Sequence, residues 1–242
     1  MKDIHTHILP NVDDGSKSIE ESLEILRQAY LNGITDIVLT PHYIKDSKYN
    51  TNNKEKKKIF QELKKWLEIS CMNINIYLGN EVYITEDPIS LSKEISTINN
   101  SRYILIEFPL NTKYPLIEEF IFKLKKKKLI PIIAHPERYL EYYKDYKFFE
   151  NLINSGCLLQ GNIGSLYGRY GRKSKKMLIY MLKNNMIHFL ASDIHNAKDK
   201  IHKKNIQRDL LKIVKNKEEV EKILNTNIDK VLNDIDIVEW SK

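Results

Sequence analysis

The first dozen residues contain the pair of side chains with the clearest capacity for metal chemistry. Two histidines, His5 and His7, stand two positions apart within a short apolar run. If this run is a β-strand, both imidazoles project from one face, because side chains alternate along a strand. Two neutral imidazoles on one face supply half of a tetrahedral metal site. Two surface histidines near a terminus are the alternative, and the rest of the chain decides between the two.

Further imidazoles and carboxylates recur where apolar, β-branched runs end. Strands predicted over residues 34–40, 74–78, 103–108, 129–134 and 186–191 end at or just before His42, Glu81, Glu107, His135, and Asp193 with His195. A sixth run, residues 157–160, leads into Gly161 and Asn162. Of the seven histidines, His188 and His202 fall outside this pattern. Histidines scattered over the core or the surface would not recur at the ends of predicted strands. The pattern therefore favours one convergent metal site.

Helices are predicted between these strands. Ser18 with Glu21 three residues later predicts a capping box, and Gly33 ends the helix that it opens. Apolar spacing predicts helices over residues 54–70, 116–128, 148–155 and 174–184, a short one near 88–94, and two or three charged helices after 203. Seven strand–helix units predict an α/β chain of one domain, residues 1–242, folded as a closed, seven-stranded relative of the TIM barrel. The carboxyl ends of its strands would converge on one face, where barrel active sites lie.

The donor types suggest which ions this face would bind. Nitrogen and oxygen ligands without a thiolate suit Mn²⁺, Fe²⁺ or Zn²⁺, and the donors are more numerous than one ion can use. We therefore expect two or three ions. Divalent ions about 3.5–4 Å apart can hold the attacking and departing oxygens of an in-line displacement at phosphorus.

Composition excludes several other classes of protein. The chain has 242 residues, of which 42% are hydrophobic and 29% charged, as in globular proteins. Cys71 and Cys157 lie far apart, without a CxxC or Cys-x5-Arg motif, which excludes a zinc ribbon and a thiolate phosphatase. The net charge of +7 comes with no aromatic-basic motif, so lysine-rich helix faces are favoured over nucleic-acid binding. No apolar stretch is long enough for membrane insertion and no basic leader precedes the first strand, so a cytoplasmic protein is expected.

Taken together, these motifs resemble the PHP (polymerase and histidinol phosphatase) superfamily. The similarity is closest to its bacterial manganese-dependent protein-tyrosine phosphatases of capsule and exopolysaccharide biosynthesis, and it covers residues 1 to about 200. It rests on Asp3-Ile4-His5-Thr6-His7-Ile8, Asp13-Asp14-Gly15, Gly79-Asn80-Glu81-Val82-Tyr83, Ser101-Arg102-Tyr103, Ile106-Glu107-Phe108, Ala134-His135-Pro136-Glu137-Arg138-Tyr139 and Ser192-Asp193-Ile194-His195-Asn196.

The resemblance implies the PHP fold, a distorted (β/α)7 TIM-like barrel, with three metal positions. The first would be held by His5, His7, Glu81 and Asp193, the second by Glu81, Glu107 and His135, and the third by Asp14, His42 and His195. Carboxylates at Asp14 and Glu107, where the superfamily more often has histidines, favour manganese. Asp14 can alternatively be a turn residue of Asp-Asp-Gly.

Two cations are candidates for binding the phosphate. Arg138 follows His135 by three residues, so it lies at the same mouth and can grip phosphate oxygens with two N–H groups. A loop arginine paired with a surface acid is the alternative. The resemblance implies a second arginine after the Ser-Asp-x-His-Asn motif, and here Lys200 stands in that stretch.

The activity implied by the resemblance is hydrolysis of phosphotyrosine by a metal-activated water, with the tail of a bacterial tyrosine autokinase as substrate. Tyrosines near strand ends could stack on the aryl ring: Tyr43, Tyr49, Tyr83, Tyr114, Tyr139, Tyr142 and Tyr143. Two alternatives stay open. One is a PHP phosphatase of a small ester such as histidinol phosphate, and the other is a non-catalytic metal-binding module, against which the retention of every ligand position argues.

Overall fold

The computed structural model describes residues 1–84, 94–110, 112–199 and 206–237. Within these ranges it contains parallel strands that pair in two sheets, of order β1-β2-β4 and β3-β5-β6-β7-β8-β9. The strands are β1 (Lys2–Thr6), β2 (Asp36–Leu39), β3 (His42–Tyr43), β4 (Asn75–Leu78), β5 (Glu81–Tyr83), β6 (Tyr103–Glu107), β7 (Ile130–Ala134), β8 (Leu158–Asn162) and β9 (Phe189–Ala191).

These nine segments form seven strands, because two of the strands are each interrupted once. Residues 40–41 separate β2 from β3, and residues 79–80 separate β4 from β5. The barrel closes where β9 returns to β1: Asp193 N donates to His5 O at 3.0 Å, and His7 N donates to Ile194 O at 2.9 Å. The predicted (β/α)7 barrel is therefore confirmed, although the sequence did not reveal the two breaks in its strands.

The helices cover the outside of the barrel. They are α1 (Ile19–Leu31), α2 (Asn53–Ile69), α3 (Tyr114–Lys126), α4 (Tyr146–Asn154), α5 (Ile163–Leu166), α6 (Gly171–Lys183), α7 (Ile206–Val214), α8 (Lys217–Glu221) and, after a π-helical segment Lys222–Thr226, α9 (Asn227–Leu232). Ser18 caps α1 by accepting from Glu21 N at 3.2 Å, as predicted. The sequence missed the short α5, and the helix predicted near 88–94 lies outside the described residues except for Glu94. None of the described helices combines the length and apolar character needed to cross a bilayer.

Apolar side chains fill the barrel interior and close its amino end. Ile4, Leu105, Ile132 and Phe189 project inward and are fully buried. Side chains of α9 belong to the same cluster, including Ile228 and Val231, both of which are fully buried. Because α9 covers the amino ends of the strands, the carboxyl ends form the mouth at which polar side chains can meet substrate.

Candidate metal centre

The carboxyl ends of the strands bring together the nine residues that the sequence singled out as metal ligands. They are His5 in β1 and His7 just after it, Asp14 from the loop that follows, His42 at the start of β3, Glu81 at the start of β5, Glu107 at the end of β6, His135 after β7, and Asp193 and His195 after β9. Six of the seven strands thus supply this cluster with residues at their carboxyl ends, and the seventh, β8, supplies residues that orient the candidate ligands.

The deepest part of the cluster is formed by four side chains at most 3% exposed. His5 Nε2 and His7 Nε2 are 3.1 Å apart. Glu81 Oε2 lies 3.2 Å from the first and 3.3 Å from the second, and Asp193 Oδ1 lies 3.4 Å from each. Four donor atoms therefore surround one small space.

Glu81 also belongs to a second group of donors. Its Oε1 lies 3.0 Å from His135 Nε2, and Glu107 Oε1 lies 3.7 Å from the same nitrogen. His42, which the resemblance assigned to the third position alone, faces this group as well, with Nδ1 3.0 Å from Glu81 Oε2. Glu81 thus connects two groups of donors through its two carboxylate oxygens.

A third group lies nearer to solvent. Asp14 Oδ1 is 3.6 Å from His42 Nε2 and 3.7 Å from His195 Nε2. His7 joins the group, because its ring stacks on His195 with the centroids 4.0 Å apart. The turn role considered for Asp14 is filled by its neighbour instead: Asp13 Oδ1 accepts from Gly15 N at 2.9 Å. The Asp14 carboxylate is left free to face the two imidazoles.

Three buried polar residues that sequence reasoning missed as site residues orient the candidate ligands. Asp13 Oδ2 is 2.6 Å from His7 Nδ1 and also accepts from His42 N at 2.8 Å. Gln160 Oε1 is 2.7 Å from His5 Nδ1. An acceptor at Nδ1 fixes the tautomer that leaves Nε2 free for a metal.

The third residue, Asn162, acts on a carboxylate. Its Nδ2 donates to Asp193 Oδ2 at 2.7 Å. A signal was present in the sequence, because Gln160 and Asn162 are polar residues at the end of a strand that is otherwise apolar. Such residues have to find buried partners.

The backbone turns that carry two of the candidate ligands are strained. His135 has φ 34° and Asp193 has φ 53°, a left-handed conformation that residues other than glycine rarely adopt. Strain of this kind persists where the surrounding structure enforces it, often in functional sites. At Gly15 the chain passes so close to His7 that a Cβ would lie 2.0 Å from His7 O, so only glycine fits there.

Electrostatics in the deep part of the cluster favour positive charge. Burial lowers the pKa of His5, but the nearby Glu81 and Asp193 carboxylates outweigh burial and raise it to about 9. The pKa of Glu81 and that of Asp193 fall well below their usual values despite burial, because of the surrounding imidazoles. The carboxylates thus hold a cation in this pocket, either protons on the imidazoles or metal ions between them.

Divalent ions fit this donor set. Among the described residues, His42 Nδ1, Glu81 Oε2 and His135 Nδ1 are buried without a hydrogen-bond partner, although the first two atoms are 3.0 Å apart. Buried polar atoms are rarely left unpaired, and unpaired lone pairs that converge are characteristic of metal sites. The donors are nitrogen and oxygen only, since Cys157 lies in the apolar core and burial raises its pKa.

Arg138 lies at the rim of the cluster. Its Nη1 is 3.6 Å from Asp193 Oδ2, and its guanidinium lies 4.8 Å from the centre of the Tyr170 ring. The alternative that Arg138 pairs with a surface acid is therefore wrong, because Asp193 is buried. Tyr170 was not singled out from the sequence, and its hydroxyl faces Asp193 Oδ2 at 3.4 Å.

A second arginine, Arg169, lies against the same Tyr170 ring. Its guanidinium is 5.7 Å from the ring centre, and its Nη2 donates to Asp199 Oδ1 at 3.0 Å. Asp199 Oδ2 in turn accepts from His195 N at 3.1 Å. Lys200, the sequence candidate for a second phosphate-binding cation, lies outside the described residues.

The tyrosines expected at the mouth have divergent positions. The ring of Tyr49 stacks on His42 with the centroids 6.2 Å apart, so it lines the mouth as expected. Tyr43 and Tyr139 are buried in the core, and the Tyr139 hydroxyl accepts from Phe108 N at 2.9 Å. For these two residues the expectation was wrong, because both rings pack inward beside the strands.

Comparison with known proteins agrees with this geometry. Residues 1–233 match the family described as capsular polysaccharide synthesis, CpsB/CapC. This chain belongs to that family. It is 44% identical over 199 residues to the putative tyrosine-protein phosphatase CapC of Staphylococcus aureus, an alignment that covers 81% of this chain and 77% of the relative. It is 34% identical over 201 residues to the tyrosine-protein phosphatase YwqE of Bacillus subtilis, covering 82% and 78%.

Solved structures give the same assignment. A structure reported with YwqE of Bacillus subtilis and CpsB of Streptococcus pneumoniae, described as unique metal-dependent tyrosine phosphatases, superposes with a TM-score of 0.90 at 30% identity, covering 98% of this chain and 96% of the other. The resemblance seen in the sequence is thereby confirmed. A histidinol phosphate phosphatase of Lactococcus lactis, 12% identical with a TM-score of 0.59 over 93% of this chain and 96% of the other, shares the fold.

Proposed function

We propose that this chain is a metal-dependent protein-tyrosine phosphatase whose single domain spans residues 1–242. The observation that carries the proposal is the convergence of imidazole and carboxylate atoms on Glu81, where His42 Nδ1 and Glu81 Oε2 are both unpaired and 3.0 Å apart, beside an arginine at the open end of the barrel. Such a cluster suits phosphoryl transfer, in which catalysis consists mainly of positioning and charge stabilisation.

Each group of donors has a distinct part in this proposal. The first ion would be held by His5, His7, Glu81 and Asp193, the second by Glu81, Glu107 and His135 with His42, and the third by Asp14, His42 and His195 with His7. When bound, such ions would supply an activated water for attack at phosphorus and would neutralise the phosphoryl oxygens. Mn²⁺ suits this shell best, because about half of the ligands are carboxylates, and Fe²⁺ or Zn²⁺ would also be accepted.

Arg138 orients the phosphate. Its planar guanidinium presents paired N–H donors that match two phosphate oxygens, and it stays charged at every physiological pH. The Tyr170 ring supports it from one side and Asp193 from another, so its direction is set before substrate binds. Arg169 and Lys200 are the candidates for a second contact with the substrate.

The leaving group explains a preference for phosphotyrosine. An aryl oxide departs more readily than an alkoxide, so the reaction needs less help from a proton donor. Tyr170 faces Asp193 at the mouth, but burial raises the pKa of its hydroxyl to about 12, which makes it a weak acid. Aryl phosphates are therefore the substrates that this site handles best, and Tyr49 offers a ring beside His42 for the aryl group.

We infer the protein substrate from the process that the family description names, capsular polysaccharide synthesis. In this proposal the chain acts in the cytoplasm and dephosphorylates the tail of a bacterial tyrosine autokinase that controls capsule or exopolysaccharide assembly. A disordered tail can bring its tyrosines to a barrel mouth without large rearrangement. No role in nucleic-acid binding is proposed.

The test combines metal stripping with a choice of substrates. Chelated protein is supplemented with Mn²⁺, Fe²⁺ or Zn²⁺ one at a time, and phosphate release is measured from phosphotyrosine peptides, phosphoserine peptides and histidinol phosphate. We expect chelation to abolish activity, Mn²⁺ to restore it best, and kcat/KM to be highest for phosphotyrosine. Full activity after chelation would overturn the metal mechanism, and a clear preference for histidinol phosphate would favour the small-ester alternative.

A further inference from the structure

One lysine of α2 is buried, although its lysine neighbours on that helix are solvated. Lys56 has no exposed surface, whereas Lys54, Lys57 and Lys58 are exposed. Lysine is almost never fully buried unless its amine has partners. Burial lowers the pKa of Lys56 to about 7, which means that burial disfavours the charged form of its amine. The reason for a lysine at this position has to be sought in the contacts of the amine.

The partners of the Lys56 amine explain its position. Nζ donates to Asn80 Oδ1 and, at 3.1 Å, to Glu94 O. It also lies over the Tyr43 ring, 5.5 Å from its centre. Tyr43 follows His42 in the chain and Asn80 precedes Glu81, so Lys56 contacts the immediate neighbours of two candidate ligands.

Asn80 connects Lys56 to the two strand breaks. Its Nδ2 donates to Pro41 O at 2.9 Å, and its Oδ1 also accepts from Ser96 N at 2.8 Å. Pro41 O accepts a second bond, from Glu81 N at 3.2 Å. The break between β2 and β3 is thus tied to the break between β4 and β5 by Asn80, and Lys56 fixes the orientation of the Asn80 side chain.

The segments after the two breaks carry the ligands on which the cluster depends. His42 and Glu81 are paired residues of β3 and β5, and His42 Nδ1 lies 3.0 Å from Glu81 Oε2. Glu81 belongs to two of the donor groups, so a small displacement of β5 would alter both.

We propose that Lys56 is a positioning residue of the metal centre, which locks both strand breaks through Asn80 and thereby sets the places of His42 and Glu81. The proposal rests on the metal-dependent function proposed above. A helix on the outside of the barrel thereby contributes to the site. The four-carbon side chain of Lys56 is long enough to bring its amine from α2 to the breaks.

The test measures manganese binding instead of activity. Lys56→Met keeps the unbranched shape and nearly the volume of the side chain, is one heavy atom shorter, and removes its donors. Leu63→Ala is the matched control, because Leu63 is fully buried on the same face of α2 but is not part of this network. We expect Lys56→Met to weaken Mn²⁺ binding about tenfold by titration calorimetry, in line with the loss of residues that orient metal ligands. Leu63→Ala should lower Tm and change the affinity less than about twofold, since a cavity there costs stability alone.

A double-mutant cycle identifies the route of the effect. If Lys56 acts through Asn80, the combined Lys56→Met and Asn80→Ala protein should bind Mn²⁺ no more weakly than Asn80→Ala alone. Additive losses would show that Lys56 acts by another path and would overturn the proposal. Should Lys56→Met not fold, Asn80→Ala provides the same measurement, and wild-type affinity in that variant would equally overturn it.

A metal-free measurement separates this proposal from the proposed function. In stripped protein, the imidazole NMR signals of His42 should shift in Lys56→Met and stay unchanged in Leu63→Ala. A wild-type protein that binds no manganese would contradict the proposed function, and the NMR comparison would still decide the role of Lys56. Unchanged His42 signals, or equal Mn²⁺ affinity in Lys56→Met and Leu63→Ala, would make Lys56 a residue of structural importance only.

Discussion

The two ends of the barrel use the same strands for opposite purposes. At the amino end, α9 packs Ile228 and Val231 into the interior, and the Tyr103 hydroxyl donates to Ile235 O at 2.7 Å. Buried polar side chains such as Tyr103 and Asn227 are paired there with backbone carbonyls. At the carboxyl end, imidazoles and carboxylates face one another with several atoms unpaired. The comparison shows that position along a strand, more than residue type, decides what a polar side chain does.

Histidines at the two ends show this difference most directly. His188 precedes β9 at the amino end, where its Nδ1 accepts from Leu159 N at 3.1 Å and its carbonyl accepts from Asn227 Nδ2 at 3.0 Å. Burial lowers its pKa to about 4. His5, at the other end, has its pKa raised to about 9 because carboxylates outweigh burial. One imidazole is kept neutral as a structural acceptor, and the other is held where positive charge is favoured.

The largest expected effect comes from removing an imidazole at the carboxyl end. His135→Ala should lower kcat for a phosphotyrosine peptide by about 10³ or more, because loss of a ligand forfeits several kcal/mol of stabilisation by the metal. Tm should change little, since His135 is not part of the apolar core. Activity and thermal unfolding of the purified variant measure both.

The matched control is His188→Asn, which keeps an acceptor for Leu159 N at the amino end. We expect it to retain activity within about threefold, since its site lies away from the mouth. Equal losses of activity in the two variants would refute the idea that the strand end determines the role of the histidine.

A second comparison uses two arginines. Arg138→Ala should reduce kcat by about 10²–10³ while metal content stays at the wild-type level, because the side chain stabilises charge on the phosphate in the transition state. Metal analysis by mass spectrometry together with steady-state kinetics measures this. Loss of ions from the variant would instead make Arg138 a structural support of the cluster.

Arg102→Ala is the control at the amino end. Arg102 donates to Asp234 Oδ1 at 3.0 Å and to Asp236 Oδ1 at 2.9 Å, close to the start of β6. Because these ion pairs are exposed, we expect at most about 1 kcal/mol of lost stability and wild-type kinetics.

A third comparison concerns pH and stability. The folded-state pKa of His188 lies at about 4, below its unfolded value of about 6.5, so between these pH values the unfolded chain binds the proton. The free energy of unfolding should therefore fall as pH drops from about 6.5 to about 4, and this contribution should be constant above pH 6.5. In His188→Asn the decline should be smaller by about 1–3 kcal/mol, allowing for the partial exposure of the ring.

Urea unfolding of metal-free protein at several pH values measures the difference between the two proteins. The carboxyl-end cluster titrates in both of them, so its contribution cancels. An identical decline in wild type and variant would show that His188 is not held neutral in the folded protein.

The sequence by itself determined the strands, their direction and the residues at their ends. Continuous apolar runs such as residues 129–134 predict strands covered on both faces, and parallel order follows from the helices between them. From this alone His42, Glu81 and His135 were expected at one mouth, and the structure places them there. Local patterns suffice for this part, because strand direction fixes which end residues meet.

Only the tertiary structure decided which atoms face each other. The breaks at residues 40–41 and 79–80 shift β3 and β5 relative to β2 and β4, and this shift gives His42 a place in two donor groups. No local sequence pattern predicts such an offset, because it depends on hydrogen bonds between segments that are distant in the chain. The bond from Asn80 Nδ2 to Pro41 O is one of them.

The same reason explains the residues that the sequence did not reveal. The burial of Asp13 beside His7, the stacking of Arg138 on Tyr170, and the depth of Lys56 are each set by packing between separate elements. Lys56 stands in a run of lysines that is chemically uniform in the sequence. Its burial is decided by the one rotation of α2 that brings Leu63 and Leu67 against the barrel, because that rotation turns Lys56 inward on the same face.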